Sequence, residues 1–434
     1  MNFKSNQITL SSFKKMKQTD NLQITSDIEK QRGIKILFIS IVAVGMGQTL
    51  FSALLPPIAR NLGLNEMEVG LMFTLSAICW TIFSPVWGRI SDNIGRKPVI
   101  MIGMMAFSFS TGSFGYLLQY GIENAISVVT LYILLVLSRA IYGVFGSGTP
   151  VAAQAYIADR TSRSERSKGV AAIGAAFGFG AILGPGFAAV LAVYSLFLPF
   201  YLLALIGFFG LMSTLIFLTE RRRPEVFENI PETRLRLNDK RISGLMLIGA
   251  GTSFVQAILL QISAFFVLDV LHLNAQETTS LVGVGMMGMA IMTLFSQLVV
   301  IPKLDPSVRT MLISGAILLV IPFCMFLLPM SKTLLVVSMV ISGFGFGLIR
   351  TGTAAGASLV VEPEEQGAVA GLIGATAAIG IIFVPITAMA LYSYVAPIAP
   401  YILGLIVSAL MLFMVCGAGF RHMNRVLSQD TPII

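Results

Sequence analysis

The sequence predicts an all-α membrane protein: twelve membrane-spanning helices arranged as two pseudo-symmetric six-helix bundles. Three observations predict it. Of 434 residues, 56% are hydrophobic and only 12% are charged, and apolar runs near bilayer length recur along the whole chain. All but four of the 29 Lys and Arg fall on one side of the resulting topology. The two halves also repeat each other in order and spacing.

The spans are expected at about 34–58, 67–87, 98–118, 126–157, 169–192 and 197–218 in the first half. In the second half they are expected at about 243–268, 280–300, 310–330, 333–360, 368–391 and 399–419. Residues 1–33 are polar and basic, and lack the apolar core of a signal peptide. They read as a flexible or membrane-surface cytoplasmic arm. The domain reading is therefore an arm over 1–33, a bundle over 34–219, a cytoplasmic linker over 220–242, a second bundle over 243–420 and a tail over 421–434. The linker is marked by Arg221-Arg222-Arg223, Pro224, Pro231 and Lys240-Arg241.

Charge placement orients the chain. Arg60 and Lys332 are the two basic residues on the less basic side, and Arg139 and Arg350 lie inside spans. Positive loops stay in the cytoplasm, so both termini are expected there, in a bacterial inner membrane. The same rule accounts for the formal net charge of +8 without nucleic-acid binding.

The repeat has particular residues. Leu64-Asn65-x-x-Glu68 recurs as Leu273-Asn274-x-x-Glu277, Asp92 and Arg96 recur as Asp305 and Arg309, and Arg139 recurs as Arg350. The offsets are 209, 213 and 211 residues. A near-constant offset indicates a duplicated six-helix unit, whose halves rock about a central site.

Between spans 2 and 3 stands Gly88-Arg89-Ile90-Ser91-Asp92-Asn93-Ile94-Gly95-Arg96-Lys97-Pro98. A loop this short can only clamp helix ends together. Gly88 and Gly95 permit close approach or positive φ, Asp92 suits a helix N-terminus or a basic partner, and Arg96 and Lys97 suit an anionic membrane face. The run resembles the loop 2–3 signature of the major facilitator superfamily. Span 4 carries Arg139 near the bilayer midplane, where an arginine costs at least about 2.5–3.5 kcal/mol. Its context, Leu137-Ser138-Arg139-Ala140-Ile141-Tyr142-Gly143, resembles the superfamily's span 4 motif, with Tyr142 where a glutamine is usual. Span 5 reads Gly180-Ala181-Ile182-Leu183-Gly184-Pro185-Gly186 and resembles the antiporter motif of the superfamily's exporters. Its physical content is a helix face without side chains against which a neighbour packs.

The resemblance implies the major facilitator fold, a branch similar to drug:proton antiporters, and a proton-coupling role for Arg139. It also implies that Asp159, at the end of span 4, joins Gly88, Asp92, Gly95, Arg96 and Lys97 in a latch of the outward-facing state. Gln48, Gln256 and Gln261 are expected to donate or accept hydrogen bonds in the cavity or between helices. None of the 21 acidic residues falls near the middle of a span, and Asp159 and Asp269 stand only at span ends. Two intramembrane arginines without an acid imply an electropositive cavity and an anionic or zwitterionic cargo. Members of this branch that export carboxylate siderophores make that cargo class attractive.

The composition argues against other classes. His272 and His422 lie in unrelated segments, and Cys79, Cys324 and Cys416 have no metal or redox spacing. No metal, cofactor or enzymatic constellation is expected. The expected partners are a small-molecule substrate, protons as coupling ion and membrane lipid, with the protein a monomer. The expected function is proton-coupled export of a small organic molecule by alternating access. The alternative is a proton-coupled uptake symporter for an organic anion.

Overall fold

The computed structural model describes residues 5–124, 126–160, 163–220, 239, 241–362 and 365–417. The linker residues 221–238 and Lys240, and the tail from residue 418, lie outside them, together with the expectations placed there. Twelve helices have the length and apolarity to cross a bilayer. The first six are α1 Gln31–Asn61, α2 Glu66–Ile94, α3 Arg96–Glu123, α4 Val128–Ala158, α5 Ala172–Ala192 and α6 Leu198–Phe217. The second six are α7 Ser243–Leu271, α8 Ala275–Leu304, α9 Val308–Met325, α10 Lys332–Leu359, α11 Gly371–Tyr394 and α12 Ala399–Cys416. No strand occurs among the described residues.

Local chemistry starts the helices where the sequence repeats. Asn65 caps α2 by accepting from the Glu68 amide at 2.8 Å, and Glu68 returns the bond to the Asn65 amide. Asn274 caps α8 in the same way, accepting from the Glu277 amide at 2.8 Å. The repeated Leu-Asn-x-x-Glu is thus a helix start, built twice.

Two boundaries differ from expectation. The helix that carries α1 begins at Ser5, so no break separates arm from span near residue 33. The connection between spans 2 and 3 is also shorter than the polar run suggests. Arg89, Ser91, Asp92 and Asn93 all belong to α2, and Gly95 alone, at φ 103°, separates it from α3. The helix continues past the apolar run, where Ser91 donates to the Gly88 carbonyl and Asp92 pairs with Arg96. Only glycine turns the chain cheaply at that φ.

Packing repeats as well. Gly180 of α5 lies against the Val42 carbonyl of α1, and Gly380 of α11 lies against the Ser253 carbonyl of α7. Thr49 of α1 donates to the Ala181 carbonyl at 2.9 Å, fastening the same α1–α5 contact. Small residues let these backbones approach, the usual route to association inside lipid.

The halves meet through α1 with α7 and α8, α2 with α11, and α5 with α8. Two of these contacts are equivalents. Gly70 of α2 faces Pro385 of α11, and Gly283 of α8 faces the Pro185 carbonyl of α5. Thr74 donates to the Ile382 carbonyl and Ser280 to the Ala189 carbonyl, each at 3.4 Å. Among the described residues, every hydrogen bond between the halves lies toward the end where α1 finishes. At the other end the α5 and α11 faces are uncovered. A Cβ added at Gly174, Gly178, Gly371 or Gly374 would meet no atom within 4 Å. The bundle is therefore closed where α1 ends and open where it begins.

Candidate translocation site and gates

Arg139 and Arg350 occupy equivalent sequence positions but unequal surroundings. Arg139 is buried, at 4% exposure. Its guanidinium lies 4.2 Å from the Phe51 ring centre and 5.2 Å from that of Tyr142. Phe51 is held by edge contacts with Phe114 and Phe200, and Tyr142 by Trp80 and Phe107. The Arg139 Nε has no hydrogen-bond partner, and no carboxylate of the described residues pairs with the side chain. Ring faces carry the negative part of the quadrupole, so they substitute for an anion at about 2 kcal/mol or more when desolvated. Tyr142, where the family motif has glutamine, supplies one of those faces. Tyr142 also begins a π-helical turn, Tyr142–Gly146, which shifts the register of α4 just past the arginine. Ser76 of α2 ties in by donating to the Arg139 carbonyl at 3.2 Å.

Arg350 is exposed along α10 and donates from Nη2 to Gln256 Oε1 of α7 at 2.5 Å. This bond occupies one of five N–H donors and leaves the fork available. Arg139 therefore sits inside the first bundle, while Arg350 reaches solvent-accessible space. Gln48 is half-buried. Gln261 is buried, and its Oε1 has no hydrogen-bond partner.

The polar run between α2 and α3 gathers as a cluster. Arg96 bonds Asp92 at 2.6 Å and Asp159, at the C-cap of α4, at 3.0 Å, and donates to Ser91 Oγ at 2.5 Å. The N-terminus of α3 is capped from elsewhere. Glu220, just past α6, accepts from the Arg96 and Lys97 amides at 3.3 and 2.6 Å. Lys97 in turn donates to the Leu215 carbonyl at 2.8 Å. A carboxylate at a helix N-terminus is favoured by the unpaired amides and the dipole. Gly88 packs near Val151, and Gly184 lies against Met46 and Thr49. Among the described residues the second half shows no copy of this cluster: Asp305 and Arg309 are both exposed, and no ion pair joins them.

Two further polar groups lie outside the sequence expectations. Arg241, before α7, bonds Asp239 at 2.9 Å and forks onto Glu365, before α11, at 2.8 and 2.9 Å. These bonds hold both carboxyls below the usual carboxylate range. At the closed end, Arg60 of α1 pairs with Asp269 of α7 at 2.6 Å and with the buried Glu66 of α2. Tyr392 donates to Asp269 at 2.5 Å, and Ser393 to Glu66 at 3.0 Å.

Comparison with known proteins places this architecture. The family model described as Major Facilitator Superfamily matches residues 37–385. The chain belongs to the major facilitator superfamily. It is a multi-pass membrane transporter and not an enzyme. Among curated relatives, Multidrug resistance protein 1 of Bacillus subtilis (strain 168) is 31% identical over 229 residues, 53% of each chain. Quinolone resistance protein NorA of Staphylococcus aureus is 27% identical over 190 residues, 44% of this chain and 46% of that one. The alignments span about half the length of these relatives. The match to bacterial drug-resistance transporters agrees with the branch that the span 5 motif suggested. Solved structures share the fold. An inward-facing, unoccupied bacterial homologue of the human lysosomal transporter Spinster aligns with TM-score 0.68 at 15% identity, covering 93% of this chain and 98% of that one. The nucleoside transporter NupG aligns with TM-score 0.65 at 13% identity, covering 89% and 98%.

Proposed function

We propose that this major facilitator exports small organic molecules that carry a carboxylate, driven by proton antiport, from the cytoplasm across a bacterial inner membrane. The observation that carries the cargo class is Arg350, an exposed intramembrane guanidinium steadied by Gln256 with no acid in the middle of any span. The guanidinium donors that Gln256 leaves unused bind a carboxylate with paired hydrogen bonds, and the charge repels a lipophilic cation. The export direction is supported by the relatives, which are multidrug and quinolone resistance proteins. The one-sided Lys and Arg support cytoplasmic termini, and on that reading the open end of the bundle is the cytoplasmic end. Arg139, fixed among ring faces, then serves the conformational cycle, and Arg350 serves recognition.

The experiment compares deletion and overexpressing cells for secreted and retained metabolites, and for resistance to a quinolone, whose scaffold bears a carboxylate. Export predicts retention in the deletion strain and excess secretion on overexpression. Loss of accumulation in the deletion strain would instead mean uptake.

A further inference from the structure

We infer that Arg60 is the hub of a latch between the halves, and that this latch, rather than the cluster around Arg96, holds the conformation described here. The site joins four helices from both bundles. Arg60 at the end of α1 reaches Asp269 at the end of α7 and Glu66 at the start of α2. Asp269 is steadied by the Tyr392 hydroxyl and Glu66 by the Ser393 hydroxyl, both on α11. Glu66 is 6% exposed, so its charge is satisfied inside the contact and not by water.

Symmetry explains why this pair meets. Arg60 and Asp269 are 209 residues apart, the offset that separates the capping residues Asn65 and Asn274. They are the same position in the two copies of the repeat. Residues related by a two-fold axis can touch only beside that axis. The pair is therefore centred where the ends of α1 and α7 separate if the halves rock apart. Opening this end removes Asp269 from the guanidinium, while Glu66 stays on the same half as Arg60. It also parts Glu66 from Ser393. By contrast, Arg96, Asp92 and Asp159 all belong to the first bundle, and their bonds are intact while that end of the molecule is open. These two bonds lie within one half and do not join it to the other.

The test uses the full-length protein in lipid nanodiscs. Spin labels are placed at Asn124, just past α3, and Lys332, the first residue of α10, both exposed at the closed end, after Cys79, Cys324 and Cys416 are replaced by serine. Distance distributions are read by pulsed electron resonance, without cargo. Arg60→Gln and Asp269→Asn should each shift the ratio of long to short distances by about two- to fivefold, the scale of a partly exposed ion pair. The double exchange Arg60→Asp with Asp269→Arg keeps one guanidinium between two carboxylates, and should restore the short distance. An unchanged distribution in both single variants, or a double exchange as open as the singles, would overturn the latch. Because the readout needs no substrate, its result is independent of the cargo assignment.

Discussion

Adding one methyl at Gly283 should open the end of the transporter that the structure shows closed. A Cβ there would lie 2.6 Å from the Pro185 carbonyl and 2.7 Å from the Ala189 Cβ, both on α5 of the other half. Neither is the tip of a flexible side chain, so the helices must part. At Gly70 a Cβ would lie 2.8 Å from the Pro385 Cβ, but its other neighbour is the Met389 sulfur, which can swing away. Overpacking costs about 1–3 kcal/mol. Taking ~2 kcal/mol for Gly283→Ala gives roughly a thirtyfold shift toward the other conformation, and ~1 kcal/mol for Gly70→Ala gives about fivefold. The assay is the same pair of spin labels at Asn124 and Lys332. Gly180→Ala is the control, since its Cβ would press on the Val42 carbonyl and lie 2.9 Å from the Met46 amide, both within one half. It should lower thermal stability without changing the distance distribution. If Gly283→Ala lowers stability as Gly180→Ala does and leaves the distances unchanged, the Gly283–Pro185 contact is common to both states. It is then not a contact of the closed conformation alone.

Three further outcomes are expected. Asp92→Asn should reduce transport strongly with little effect on expression, because it releases Arg96 from one of its two carboxylates; unchanged transport would remove Asp92 from the cycle. Tyr142→Phe should be tolerated, since the buried hydroxyl has no partner, whereas Tyr142→Leu removes a ring face from Arg139 and should cost about 2–4 kcal/mol in thermal unfolding. The tie from Arg241 to Asp239 and Glu365 should persist at neutral pH. Both carboxyls titrate below their usual values when paired, so the tie is present above the ordinary carboxylate range and is lost as pH falls through the depressed values. Intrinsic-rate-corrected hydrogen exchange around Glu365 should rise in acid and in Arg241→Gln at neutral pH.

The twelve spans and the duplication were legible because both rest on local chemistry. Apolar length dictates a span, and Asn-x-x-Glu dictates a helix start, wherever it occurs in the chain. The cap on α3 was not legible, because its carboxylate, Glu220, comes from 124 residues away. The surroundings of Arg139 were not legible either. The sequence shows a buried cation without an acid and Tyr142 three residues on along the same helix, but only the packing of α1 against α4 puts the Phe51 ring over it. The Arg60–Asp269 pair lay within reach. The offset that matches Asn65 to Asn274 also matches Arg60 to Asp269, opposite charges at one repeat position. Sorting charges by membrane side hides that relation; sorting them by repeat position reveals it.

We propose that Arg350 selects an anionic cargo for proton-driven export. It is tested most directly in proteoliposomes with an imposed pH gradient, following a quinolone and ethidium in parallel. Gradient-driven quinolone transport should fall markedly in Arg350→Lys, which keeps the charge and loses the fork, and nearly vanish in Arg350→Gln. Vigorous ethidium transport that Arg350→Gln leaves unchanged would contradict it, and would make the protein a cation exporter whose arginines are structural.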